Sequence, residues 1–210
     1  MLFVLSAPSG TGKTTVAERL LRMCSNLKRV ITATTRPRRE GETHGVDYIF
    51  LDKEGFEKRI LEGYFLEYAL VYGNYYGTPK EQVLENEKKG YDSLLVIDVQ
   101  GARKVKDAYQ DTTLLFLMPP SLEELRRRLT TRGYGLENLE NRVKKASEEI
   151  ACARYFDYIV VNDFLDKAVE ALHTIILAQR FRRERFMRDP KIKDERMIEL
   201  FRQGQCEAFR

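Results

Sequence analysis

The sequence predicts an α/β fold, a parallel β-sheet covered by helices on both faces. Three observations carry this. The runs Leu2–Leu5, Ser93–Asp98 and Thr113–Met118 are continuously apolar at their centres rather than alternating, as strands buried on both faces are. Helical segments separate these runs, and strands that alternate with helices build a parallel sheet. A turn of small residues follows the first run and leads straight into a helical pattern, so the chain opens as strand, loop and helix.

Taken in order, Leu2–Leu5 is too short to span a membrane and suits a buried strand. Val16, Leu20, Leu21 and Met23 then recur at helical spacing, and that helix should end before Asn26. Arg29–Thr35 reads as one short strand running into Arg36–Glu42, where Pro37 and Gly41 forbid regular structure. Val46–Leu51 alternates as a strand, Lys53–Glu62 is a charged helix, and Tyr64–Tyr72 is a further strand. Gly73-Asn74 has hairpin chemistry, with Tyr75–Thr78 returning from it. Helix and strand then alternate again: a helix over 79–89, the strand 93–98, a helix over 100–109 and the strand 113–118. Ser121-Leu-Glu-Glu124 has the form of a capping box at the Pro119-Pro120 corner. A helix over 137–152, the strand Tyr158–Val161 and a long amphipathic helix follow. That last helix carries Leu165, Ala168, Leu172, Ile175 and Ile176 and should run until Pro190. Met197, Leu200 and Phe201 suggest a short terminal helix.

Composition narrows the possibilities. With 210 residues and 43% hydrophobic content, the chain can bury one substantial core. It has no apolar run of 18 residues and its first strand lacks the shape of a secretory signal, so a soluble cytoplasmic protein without a membrane partner is expected. Cys24, Cys152 and Cys206 are far apart, and with only His44 and His173 beside them neither a disulfide framework nor a zinc site is indicated. The net charge of +4 belongs to residues 180–210, which hold ten Lys/Arg against six Asp/Glu, while residues 1–179 balance at 26 and 26. Nucleic acid is therefore not an expected partner, and the oligomeric state stays open.

Residues 7–14, Ala-Pro-Ser-Gly-Thr-Gly-Lys-Thr, fit the P-loop pattern G-x-x-x-x-G-K-[ST] everywhere except Ala7. Such a loop folds its backbone N–H groups into an anion nest, and the helix starting near Gly12 aims its positive end at the same point. Lys13 would sit on the β and γ phosphates, and the Thr14 hydroxyl would complete the coordination of Mg²⁺. The bland alternative is a chance Gly-Lys-Thr on a surface turn. Arg36, Arg38 and Arg39 crowd one loop. They read either as solvated charge or as an anion site, since guanidinium forks match phosphate oxygens.

Together these pieces resemble the guanylate kinase family over about residues 2 to 180. The resemblance rests on Ser9-Gly-Thr-Gly-Lys13, Thr34-Thr-Arg36 with Arg39 and Gly41-Glu42, Gly45-x-Asp-Tyr48, Phe65-Leu-Glu67, Gly73-Asn-Tyr-Tyr-Gly-Thr78, Ile97-Asp-x-Gln-Gly101 and Val161-Asn-Asp163. It implies a single α/β domain of the P-loop NTPase type that phosphorylates GMP with ATP. The sheet core would comprise 1–32, 79–125 and 155–180, with a small β-rich GMP-binding insert at 33–78. A helical lid at 126–154 and a basic helical tail at 181–210 would complete it.

The resemblance further implies that residues Ala7, Pro8, Ser9, Gly10, Thr11, Gly12, Lys13, Thr14 and Thr15 cradle ATP, with Mg²⁺ at Thr14. Arg36, Arg39, Tyr48 and Tyr76 would hold the GMP phosphate, and Thr32, Glu67 and Thr78 would read guanine. Arg128, Arg132 and Arg142 would lie near the ATP phosphates, Asn162 on the adenine side, and Asp98 at the Mg²⁺ end. Lys13, Arg132, Arg142 and Asp98 would serve catalysis. Three departures stand out: Val96 replaces a common acidic residue, a proline displaced to Pro37 leaves Arg38 level with Arg39 as the residue that reaches the phosphate, and the segment between Arg132 and Arg142 is one residue short. Rival readings are a different acceptor, such as another monophosphate or a sugar bisphosphate, and a binding module that has lost catalysis.

Overall fold

The computed structural model describes residues 1–71, 73–131, 136–183 and 194–203. The chain divides into two compact units, Met1–Leu172 and His173–Arg210. In order, the elements are β1 (Leu2–Ser6), α1 (Lys13–Met23), β2 (Leu27–Arg29), β3 (Ala33–Thr34), β4 (Ile49–Phe50), α2 (Lys53–Leu61), β5 (Phe65–Val71), β6 (Asn74–Pro79) and α3 (Lys80–Lys88). There follow β7 (Asp92–Val96), α4 (Val99–Ala108), β8 (Thr112–Met118), α5 (Leu122–Thr130), α6 (Leu136–Ala151), a 3₁₀ turn (Cys152–Tyr155), β9 (Tyr158–Val161), α7 (Leu165–Arg180) and α8 (Glu195–Gln203). Among the described residues, no helix is long and apolar enough to cross a membrane.

The main sheet is parallel, in the order β2-β7-β1-β8-β9. Its central strand β1 is buried along its whole length, with Val4 opposite Leu95 on one side and Leu114 on the other. Because every strand points the same way, the carboxyl ends of β1 and β7 share one edge of the sheet, where such folds bind ligands. The second sheet, β4-β3-β6-β5, has its own small core. There Phe56 stacks on Phe65 at 4.4 Å and on Tyr75 at 5.1 Å. Gly77 is required beneath them, since a Cβ would come within 2.8 Å of the Phe65 ring.

The structure corrects several local expectations. Arg29–Thr35 is not one strand: β2 joins the main sheet and β3 the second. Between them the Gln82 side chain closes both backbone groups of Ile31, accepting from its N–H at 2.9 Å and donating to its carbonyl at 3.0 Å. An amide side chain thus replaces a ladder partner where the chain leaves one sheet for the other. The strand expected over 46–51 shrinks to β4, because Val46 and Asp47 turn their N–H groups back to the Thr43 carbonyl. Val71 pairs with Asn74, so Asn74 opens the returning strand instead of sitting in the turn, and Gly73 has φ 76°. The expected strand end at Tyr72 lies outside the described residues. Helix α7 stops at Arg180, where Phe181 N–H folds back to the Ala178 carbonyl, and Pro190 lies outside the described residues.

The box at Ser121 forms by half. Its hydroxyl accepts the Glu124 N–H at 3.0 Å, but the Glu124 carboxylate turns to Arg127 and Arg128 instead of back to the cap. Those two arginines hold the carboxyl low, at about 2.

Candidate active site

The loop after β1 is shaped by two left-handed glycines, Gly10 at φ 91° and Gly12 at φ 95°. Neither position tolerates a side chain. A Cβ on Gly10 would strike Leu129 at 2.9 Å, and one on Gly12 would meet the Asn162 amide at 3.0 Å. From behind, Asn162 Nδ2 donates to the Thr11 carbonyl at 2.7 Å, and Arg128 donates to the carbonyls of Thr11 and Asn162. The loop is therefore held by its carbonyls, which leaves N–H groups for an anion. Gly12 caps α1 with no side-chain bond, so the first turn's N–H groups face the same point.

A cleft opens in front of this loop. Its near wall is Ala7 to Gly10 and Gly12 to Thr15, its floor is Val96, Ile97 and Asp98, and its far wall carries Thr32, Arg36, Arg39, Tyr48, Glu67 and Tyr76. Lys13 donates to the Ile97 carbonyl at 3.0 Å. Burial pulls its ammonium below the ordinary lysine range, against the pull of Asp98 and Glu149. Asp98 lies two residues beyond β7 and caps α4, accepting from Gln100 N–H at 2.7 Å and Gly101 N–H at 3.1 Å.

On the far wall, Arg36 is aimed before any ligand arrives. Its Nη2 donates to Glu42 Oε1 at 2.6 Å, and its guanidinium lies 5.4 Å from the centre of the Tyr48 ring. The bond from Arg36 holds the Glu42 carboxyl low, and Glu42 also accepts the Arg39 N–H at 2.8 Å. Burial raises the Tyr48 phenol. Glu67 is 7% exposed, and Thr78, fully buried, donates its hydroxyl to Glu67 Oε1 at 2.6 Å. Burial lifts the Glu67 carboxyl to about 7.

The cleft thus gathers residues 7–10 and 12–15, Thr32, Arg36, Arg39, Tyr48, Glu67, Tyr76, Asp98 and Arg142, with Thr78 directly behind Glu67. Thr11, Arg128 and Asn162 lie behind the loop rather than on the cleft. Arg132 lies outside the described residues. Arg29 and Glu149 line the cleft without having been singled out, as does Asp47, whose motif assigned it no part, and Glu42 has a defined part there that its motif alone did not assign. Glu149 sits in a charged helical run that reads as solvated surface. The signal that could have found it is its spacing of seven from Arg142, two helical turns along one face.

Fold and cleft define an α/β protein with a glycine-shaped loop at the carboxyl edge of a parallel sheet and a buried carboxylate lining the same cleft. A sequence model described as guanylate kinase matches residues 1–179. The chain is 48% identical over 186 residues to a guanylate kinase of Clostridium tetani, covering 88% of this chain and 89% of that one. It is 45% identical over 192 residues to one from Oceanobacillus iheyensis, covering 91% and 93%. A crystal structure of guanylate kinase from Anaplasma phagocytophilum superposes with a TM-score of 0.74 at 36% identity, covering 87% of each chain. The chain belongs to the guanylate kinase family.

Proposed function

We propose that this cleft transfers the γ-phosphoryl group of ATP to GMP, giving ADP and GDP, by holding the two nucleotides end to end. The observation that carries the reading is the buried Glu67, backed by Thr78 and set across the cleft from Lys13 and its loop. Guanine offers one carboxylate two donors, N1–H and the exocyclic N2–H₂, and adenine has no such pair. A site built for those donors rejects a base that lacks them, because its own polar group is left unpaired. Thr32 and Thr78 complete this base site in our reading, and Arg36, Arg39, Tyr48 and Tyr76 hold the GMP phosphate.

On the other side, residues 7–15 cradle the ATP phosphates and Lys13 bears on the β and γ groups. Arg142 takes up charge that spreads over the equatorial oxygens during transfer, and Arg132 joins it on the strength of the family resemblance. Arg128 and Asn162 serve the ATP side by bracing the loop. Thr14 and Asp98 are hard oxygen donors on the same cleft, and among the described residues no cluster of three or more His, Cys, Asp or Glu forms a metal cage. That donor set fits Mg²⁺, which takes most of its ligands from phosphate and water. When bound, Mg²⁺ neutralises charge on the phosphate oxygens.

No side-chain nucleophile is needed. A GMP phosphate oxygen attacks the γ phosphorus, and the bond to the oxygen bridging β and γ breaks as ADP leaves. The protein contributes position, charge and exclusion of water, which limits wasteful hydrolysis. A cytoplasmic location suits an enzyme of free nucleotides. Steady-state turnover with GMP, AMP, dTMP and UMP side by side tests the reading: GMP should be used in large preference, and AMP turned over comparably would overturn it.

A further inference from the structure

Gln82 takes no part in the transfer chemistry, yet its amide grips the residue next to Thr32. The helix that carries it, α3, is seated on the main sheet. Val83 is buried in the core with Val4, Val30 and Leu95, and Asn86 Nδ2 donates to Ser93 Oγ of β7 at 3.0 Å. From that seat Gln82 accepts the Ile31 N–H at 2.9 Å and donates to the Ile31 carbonyl at 3.0 Å. Successive residues of the chain are thus held by different elements. The Val30 N–H bonds the Leu94 carbonyl of the main sheet at 3.0 Å, Ile31 is closed by Gln82, and the Thr32 carbonyl accepts the N–H of Ile49, in the second sheet, at 2.9 Å.

A side chain leaves its Cα in a direction set by the two peptide planes that flank it, because each plane is rigid. For Thr32, Ile49 holds the plane that follows, and Gln82 holds the plane that precedes, which contains the Ile31 carbonyl. Thr32 is 5% exposed and lines the cleft with Glu67, so a small turn of either plane moves its hydroxyl against a ligand there. Gln82 also lies four residues beyond Thr78, so one short segment carries a residue of the base site and the brace for another. We propose that Gln82 is a positioning residue for guanine selection, which fixes the direction of the Thr32 side chain and acts on GMP through Thr32. The inference rests on reading Thr32 as part of the base site.

Steady-state kinetics of the full chain, with Gln82→Leu made alone and in a Thr32→Ala background, test it. Gln82→Leu keeps the bulk of the side chain and removes both bonds to Ile31. It should raise the GMP KM roughly fivefold, while the ATP KM and the kcat at saturating GMP stay within about twofold. In the Thr32→Ala background the same substitution should add less than about twofold to the GMP KM, because the group it positions is gone. Gln82→Glu keeps the reach and the bond from the Ile31 N–H but, ionised, has no donor for the Ile31 carbonyl. It should fail in the same way, and it carries the test if Gln82→Leu melts early. An unchanged GMP KM in the folded variants overturns the proposal. So does a rise that persists undiminished without the Thr32 hydroxyl, or an equal rise in the ATP KM, which marks a merely structural role. If Thr32→Ala alone leaves the GMP KM unchanged, the assignment of Thr32 to the base site falls, and this inference with it.

Discussion

At the scale of single residues, Glu67 shows function set against stability. Its carboxyl lies at about 7 in the folded protein against 4.5 as a free side chain, so folding favours the protonated form. The sign follows from that elevation. The contribution to stability is present below pH 4.5 and is lost as pH rises through 7, on the order of 3 kcal/mol in all. Glu67→Gln is neutral throughout and can still accept from Thr78. It should therefore melt above the wild-type protein at pH 8 and lose that advantage at pH 5, which thermal denaturation at the two pH values would reveal. The same substitution should raise the GMP KM at least tenfold and leave the ATP KM alone, because a neutral amide offers guanine one acceptor where the carboxylate offers two. GMP binding draws on the ionised carboxylate, so GMP affinity of the wild-type protein should fall below pH 7; a flat profile between pH 6 and 8 would remove Glu67 from the base site. Gly101 guards this carboxylate. A Cβ there would lie 3.1 Å from Glu67 Oε2 and 3.2 Å from Ile97 Cδ1. Alanine favours a helix by about 0.5–1 kcal/mol over glycine, so Gly101→Ala should keep the melting temperature close to wild type while raising the GMP KM several-fold. An unchanged KM would mean that Glu67 has room to move.

At the scale of elements, what the sequence made legible was whatever its own neighbours decide. The runs that became β1, β7 and β8 were readable because burial on both faces writes a continuous apolar pattern. The cradle was readable because an anion nest and a helix start are built from consecutive residues. The break between β2 and β3 was not, since it depends on Gln82, some fifty positions away, reaching the Ile31 backbone. Glu149 and Arg29 escaped for the same reason: each lines the cleft only because folding brings distant residues together. Arg39 was left level with Arg38 by a displaced proline, and folding places Arg39 on the cleft. The half-formed cap of α5 gives a check at this scale. Ser121 satisfies the Glu124 N–H while Glu124 spends its carboxylate on two arginines, so Ser121→Ala leaves an N–H that Glu124 is not turned to rescue. The expected loss is about 1 kcal/mol, seen as a fall of roughly 2–4 °C in melting temperature. No change would show that the cap is dispensable.

At the scale of the molecule, charge and site are distributed differently along the chain. Every residue that lines the cleft lies within Met1–Leu172, and the family match ends at residue 179. The net charge of +4 belongs wholly to residues 180–210, while the 179 residues before them are neutral in sum. If long-range attraction by the basic tail served to draw in the two anionic nucleotides, its removal would slow capture, and the effect would fade with salt, because the Debye length is about 10 Å at 0.1 M. If the local arginines and Lys13 suffice, capture is set by groups inside the cleft, which are partly buried and less screened. Lys13, Arg36, Arg39 and Arg142 all line the cleft itself, which favours the second account. A chain ended after Gln179, which removes all ten Lys/Arg and six Asp/Glu of the tail, should therefore keep kcat and both KM values within about twofold at 0.1 M salt, where exposed charge is screened. A KM for ATP or GMP that rises sharply in the shortened chain at low salt, and recovers toward wild type as salt is added to both, would show instead that the tail steers nucleotides to the cleft.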